Sequence, residues 1–274
     1  MSANIEDLIE ESIVSLVENV DIDKLIAKHL DKVHFIPIRY RVLNGFLQSL
    51  NIRFGDFIET LLSKIIASSP NLEVLLSKRK DIKLELNPTC EEEINKYIDY
   101  PLRTKEISKK LPTKLEKLYD DVFRYQLHGE SFVSKPLDVD NLFKYKSEER
   151  YYYVEIKYND DHDTGKFQDI NRKMLKTYAG LVRYLNVKSK EEFKPILYYF
   201  NYTRRHPSPY LREGIEILRA EELFQKFNLL ISYEDVETKL NEMEDRLEKR
   251  FDEFEEQIFK RVKERTKGKQ TTLL

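Results

Sequence analysis

Residues 136–166, PLDVDNLFKYKSEERYYYVEIKYNDDHDTGK, constrain the fold of this chain more than any other stretch. Two short runs, 137–145 and 151–158, are filled with aromatic and β-branched side chains, which suit a pleated, half-buried surface. The residues between them are polar enough to turn, so the pair reads as a β-hairpin. Strand side chains alternate faces. Asp138 and Asp140 therefore share one face of the first run, and Glu155 and Lys157 share one face of the second, opposite Val154 and Ile156. Pairing the runs can gather the acids and the ammonium at one end of a sheet. Buried charge must be paired or must bind metal, and oxygen ligands of this kind suit a hard cation such as Mg²⁺.

An acid on one strand followed by Glu-x-Lys on the next, here Asp140 or Asp138 with Glu155-Ile156-Lys157, resembles the PD-(D/E)XK nuclease superfamily. The following stretch, YNDDHDTGKFQDINRKMLKTYAGL, looks like the tail of that motif in type II restriction endonucleases, in the manner of the TdeIII-like subgroup. The resemblance covers roughly residues 45–67 and 135–230. It implies an α/β fold, with a mixed central β-sheet flanked by helices. It implies Mg²⁺-dependent hydrolysis of double-stranded DNA at a short palindromic site, GGNCC if the subgroup holds, cut in both strands by a homodimer. A cognate DNA methyltransferase is then expected genetically, not as a bound subunit. The same resemblance assigns metal binding to Glu155 and to Asp140, with Asp138 as the alternative. Lys157 would orient or help deprotonate the attacking water and offset transition-state charge. Glu59, in the helix before the sheet, matches an accessory acid.

Residues 166–190 follow the hairpin and its loop and are strongly basic. Ile170, Leu175, Tyr178, Leu181, Val182 and Leu185 recur at helical spacing as core contacts. Lys166, Asn171, Arg172, Lys173 and Lys176 are left as candidates for DNA. Arginine and asparagine pair bidentately with guanine and adenine edges, and lysine suits phosphates. Residues 194–205 read as a strand buried on both faces, so helix 167–186 makes a right-handed βαβ crossover. Arg204 and Arg205 follow that strand, where open α/β sheets place ligands, and join the DNA candidates. His162, between two aspartates, reads as a loop-organising residue.

Elsewhere the pattern is helical. Residues 4–33 read as one or two amphipathic helices, and 39–67 as two helices broken around 51–55. Residues 71–86 read as a helix and then a strand through Ile82, Leu84 and Leu86, and 212–230 as a helix closing the sheet. From 233 to 266, Leu240, Met243, Leu247, Phe251, Phe254, Ile258 and Val262 mark a long amphipathic helix whose apolar stripe must be covered by its own domain or by a second subunit. The expected organisation is an N-terminal helical region (1–38), a catalytic core (39–231) with an insertion around 71–128, and a C-terminal helix (232–274) whose first expected use is the dimer interface.

Composition bounds the rest. A net charge of −2 gives no global signature for nucleic acid, although a local basic groove still can bind it. The single cysteine, Cys90, rules out an internal disulfide and suits a reducing cytoplasm. An acidic N-terminus and the lack of a long apolar run point to a cytoplasmic chain with no membrane contact. Two other readings stay open at this stage: a DNA-repair or junction-resolving nuclease of the same superfamily, and a non-catalytic helical scaffold built on the C-terminal rod.

Overall fold

The structure is a computed structural model that describes residues 21–30, 32, 34–100, 107–160, 164–202 and 208–270. The chain divides into two compact units, residues 58–233 and residues 1–57 with 234–274. The two chain ends thus share one unit, where the sequence suggested separate terminal regions. The first boundary lies not near residue 38 but inside a continuous helix.

The larger unit is built on five strands: β1 (Leu72–Leu86), β2 (Val133–Tyr145), β3 (Arg150–Lys157), β4 (Phe193–Tyr199) and β5 (Ile217–Arg219). Their spatial order is β1-β2-β3-β4-β5. The first three run antiparallel, and β4 and β5 continue parallel to β3. The expected hairpin is present, closing from Tyr145 to Arg150, with Glu149 at a left-handed φ of 52° in its turn. The expected crossover is present too, since α5 (Thr164–Leu185) joins the parallel pair β3 and β4.

Both sheet faces are covered, which is why β3 and β4 carry unbroken apolar runs at 152–154 and 196–199. On one face Tyr153, Leu197 and Tyr199 pack with Met174, Tyr178 and Val182 of α5. On the other, Phe143 and Tyr152 meet Phe227, with ring centroids 5.0 and 4.8 Å apart. The end of α2 (Ile38–Ser68) is fastened to the sheet by Asn141 Nδ2, which donates to Ser63 Oγ at 2.8 Å. Where α5 crosses β1 the backbones come close, and a Cβ at Gly180 would sit 2.8 Å from Leu84 Cβ.

Several elements differ from expectation, each for a physical reason. Helix α2 is unbroken, because residues 51–55 contain no proline and one glycine costs only about 1 kcal/mol against the flanking apolar face. Residues 72–86 form one strand. LEVLL fits either period, and antiparallel pairing with β2 along its whole length decides the matter. Residues 71–128 are no insertion: β1 is a strand of the central sheet, and α3 (Pro88–Asp99) and α4 (Ile107–His128) bury Ile94, Ile98, Leu118 and Val122 in the same core. Helix α3 escaped the sequence reading, although its start is well marked. Asn87 accepts from Thr89 N and Cys90 N, and Pro88 opens the first turn. Residues 212–230 hold β5 and a short helix, α6 (Glu221–Lys226).

The smaller unit is helical: α1 (Ile22–Leu30), the first part of α2, and α7 (Tyr233–Gln270). Phe254, Ile258 and Val262 of α7 form a core with Ile22, Ile26, Val42 and Phe46. Phe46 and Phe254 stack with centroids 4.1 Å apart. The sequence left the apolar stripe to its own domain or to a second subunit; over this length the chain's own helices cover it. Among the described residues no helix is long and apolar enough to cross a membrane.

Candidate active site

The site forms at the C-terminal end of β3, beside the middle of β2. The pairing of Asn141 with Val154 carries Asp140 one step further, opposite Glu155. Glu155 is fully buried, and Asp140 is 7% exposed. Asp140 Oδ2 accepts from the backbone N–H of Ile156 at 2.8 Å, which fixes the carboxylate against β3. Lys157 Nζ donates to Glu155 Oε1 at 2.8 Å and to Ile156 O at 2.7 Å, and lies 3.8 Å from Asp140 Oδ2. Tyr153, two residues earlier on the same face, donates its hydroxyl to Glu155 Oε2 at 2.5 Å.

The two acids are pushed in opposite directions. Burial, reinforced by the neighbouring Glu155 charge and by Glu59, pushes Asp140 up to about 7, against the pull of Lys157 and the Ile156 N–H. Burial would also raise Glu155, but the Lys157 and then the Lys173 ammonium, with hydrogen bonds from Lys157 and Tyr153, hold it below its usual range. Lys157 keeps its proton: burial works against the charge, and Glu155 and Asp140 outweigh it. One ammonium hydrogen bond thus serves a pocket of two buried carboxylates, and Asp140 remains short of positive charge. This is the donor set that a hard divalent cation completes. Among the described residues no group of three or more metal-ligating side chains occurs.

Of the two aspartates, Asp140 is the one beside Glu155 and Lys157. Asp138 Oδ1 instead accepts from the Asp81 N–H of β1 at 3.1 Å, and that bond, followed by Lys173, lowers its pKa. Glu59 sits in α2, close enough for its charge to act on both Asp140 and Lys157.

The residues expected at DNA separate into groups. Lys173 reaches the acids: its Nζ lies 3.6 Å from Glu155 Oε1 and 3.4 Å from Asp138 Oδ2. Sequence reading missed this placement, though α5 directly follows the Glu-x-Lys strand. Asn171 does not reach the surface; it is fully buried and donates to Phe167 O at 2.9 Å. Arg172 pairs with Asp99 and Asp169, and Lys176 with Glu91, so these three positions serve α5 and its neighbours. Lys166 is exposed. Arg204, Arg205 and His162 lie outside the described residues. Just beyond β3, Asp160 is tied to the buried Arg219 of β5 at 2.7 Å, which anchors the segment leaving Lys157.

A mixed sheet that sets an acid of one strand beside the Glu-x-Lys of the next defines a nuclease of the PD-(D/E)XK type. Comparison with known proteins narrows the class. The family model for the type II restriction endonuclease HinfI matches residues 1–244. The chain is also 38% identical, over 267 residues, to the type II restriction enzyme HinfI of Haemophilus influenzae, covering 94% of this chain and 98% of that one. The chain belongs to the HinfI family of type II restriction endonucleases, and it is a site-specific deoxyribonuclease acting on double-stranded DNA. Enzymes of this type use divalent metal ions. The family is that of HinfI and not the TdeIII-like subgroup suggested by the motif tail, so the GGNCC target loses its basis. No solved structure matches the chain.

Proposed function

We propose that the chain cuts both strands of a short palindromic DNA site with Mg²⁺, using Asp140, Glu155 and Lys157. Asp140 and Glu155 hold the ion, which when bound supplies Lewis acidity toward the phosphate and its attacking water. Lys157, fixed by Glu155 and protonated, orients that water and faces the negative charge that grows on the phosphate oxygens. Lys173 screens Glu155 from the helix side and keeps it ionised. Glu59 and Asp138 are accessory acids that adjust the field without sharing the Asp140–Glu155 pocket. Lys166, Arg204 and Arg205 remain the DNA contacts carried over from the sequence, in a cytoplasmic enzyme with a separately encoded methyltransferase.

The observation that carries this reading is the convergence of Asp140 Oδ2 and Glu155 Oε1 on one ammonium, at 3.8 and 2.8 Å. Plasmid digestion with Mg²⁺ should give discrete fragments, and EDTA should stop it. Lys157→Ala and Glu155→Gln should stay folded and leave the plasmid intact. Mg²⁺-dependent cutting by both purified variants would remove this site. A two-fold palindrome is matched by a two-fold enzyme, so light scattering should report a dimer; a monomer that still cuts both strands at once would end that part.

A further inference from the structure

We propose that the bulge in β1, residues 78–81, grips the phosphate backbone of DNA beside the scissile bond, with Arg79 and Lys80 as its contacts. The proposal rests on the active-site reading above. Strand β1 slips against β2 once between Val74 and Leu76 and a second time past Arg79: Arg79 faces Val139, the next pair is Ile82 with Leu137, and β1 carries one residue too many there. A bulge of this kind re-aims side chains and is common next to active sites. Two of its residues, Lys78 at φ 46° and Asp81 at φ 53°, adopt the left-handed region without being glycine. Such strain persists only where the surroundings enforce it. Here Asp81 N donates to Asp138 Oδ1, and Lys78 Nζ donates to Thr60 Oγ1 at 2.6 Å, one residue from Glu59. The bulge is therefore tied at both ends to the elements that carry the acids.

The charge it presents is distinctive. Around the site, Lys157, Lys173, Arg172, Lys176 and Lys135 are all engaged with carboxylates. Arg79 and Lys80 are exposed, and neither forms an ion pair among the described residues. Arg79 is opposite Val139, the residue before Asp140, and the Lys80 charge is felt at Asp138. Phosphates next to a scissile bond at Asp140 and Glu155 would pass this edge of the sheet. Exposed cations held on the bulge, outside the ion pairs of the described residues, are suited to receive them.

The test is the double variant Arg79→Gln/Lys80→Gln, with Arg79→Lys/Lys80→Arg as the charge-conserving control. Binding of a random 30-bp duplex is measured in EDTA across a salt series. Each phosphate contact contributes about 0.9 to the slope of log affinity against log salt, so the Gln variant should lose about 1.8 from it and bind on the order of tenfold or more weakly at low salt. The control should restore both. The KM for plasmid should rise with the fragment pattern unchanged. An unmoved slope in a folded Gln variant would overturn the proposal, as would an altered fragment pattern without a slope change, which means base contact instead. Neither result touches the catalytic assignment, which fails only if the Lys157 and Glu155 variants still cut.

Discussion

The two units of this chain bury different chemistry. In residues 58–233, β2 and the end of β3 enclose two carboxylates and an ammonium, at 7% exposure for Asp140 and none for Glu155. In the helical unit the interior is apolar, from Ile26 to Ile258, and its charges stay outside, as with Asp23 paired to Arg261 and Arg265. An apolar core stabilises by removing surface from water, at about 25 cal/mol per Å². A buried carboxylate pair does the reverse until something completes it. The difference separates residues that hold the chain together from residues whose burial fits the metal and DNA of the proposed function.

The strongest way to break this contrast is at Lys157. Its replacement by alanine should lower the cleavage rate by about 10³-fold or more, since preorganised charge at a phosphoryl site contributes at least 10²–10³. Lys157→Arg should not rescue it, because a planar guanidinium cannot occupy the point between Glu155 Oε1 and Ile156 O. Single-turnover kinetics on plasmid would measure both. In the helical unit the corresponding change is Ile258→Ala, expected to cost about 2–5 kcal/mol of stability in urea unfolding. If it were neutral, the α7 stripe would not be a core, and its assignment to a second subunit would return.

The strand pair and its acids were legible because period-two alternation and charge on apolar runs are local signals. Glu155 and Lys157 are two apart and must share a face whatever the rest of the chain does. The choice between Asp138 and Asp140 was not legible, since both share a face and the partner of Asp138 is a backbone N–H in a strand 57 residues earlier. That strand was half misread, because LEVLL fits a helix until β2 pairs with it. The same long-range dependence hid Lys173, which looks like any basic residue of α5 until the crossover brings it to Glu155. Asn171 and Arg172 illustrate the converse. Their types suit base edges, but type alone does not say which way a helix turns them, and α5 turns them toward its neighbours.

A smaller effect separates the units by pH. Asp140 rises to about 7 in the folded chain from 3.8 unfolded. A raised pKa gives stability that is complete below the unfolded value and is lost as pH climbs through the folded one. Metal-free protein should therefore lose stability between about pH 4 and 7, by up to a few kcal/mol, on the order of what a shift of this size allows. Mg²⁺ should raise Tm more at pH 8 than at pH 5.5, where protons compete for Asp140. Asp140→Asn should flatten the metal-free profile over that window and abolish the Mg²⁺ response. A wild-type profile as flat as the variant's would mean that Asp140 is already ionised without metal.

The smallest effect is expected where charge is exposed. Asp23 accepts from Arg261 and Arg265, both at 3.0 Å, and half of its side chain is in solvent. Geometry alone would rank these pairs with Lys157–Glu155 at 2.8 Å. Solvent screens them, however, and two long arginines must be ordered to make them, so exposed pairs contribute about 0–1 kcal/mol. Asp23→Asn should therefore move the urea midpoint barely, and less still at high salt. The larger change, Ile258→Ala in the same unit, would show that the assay can see a loss there. A cost at Asp23 comparable to that of Ile258→Ala would mean that charge is structural in both units, and that burial is not what distinguishes the site.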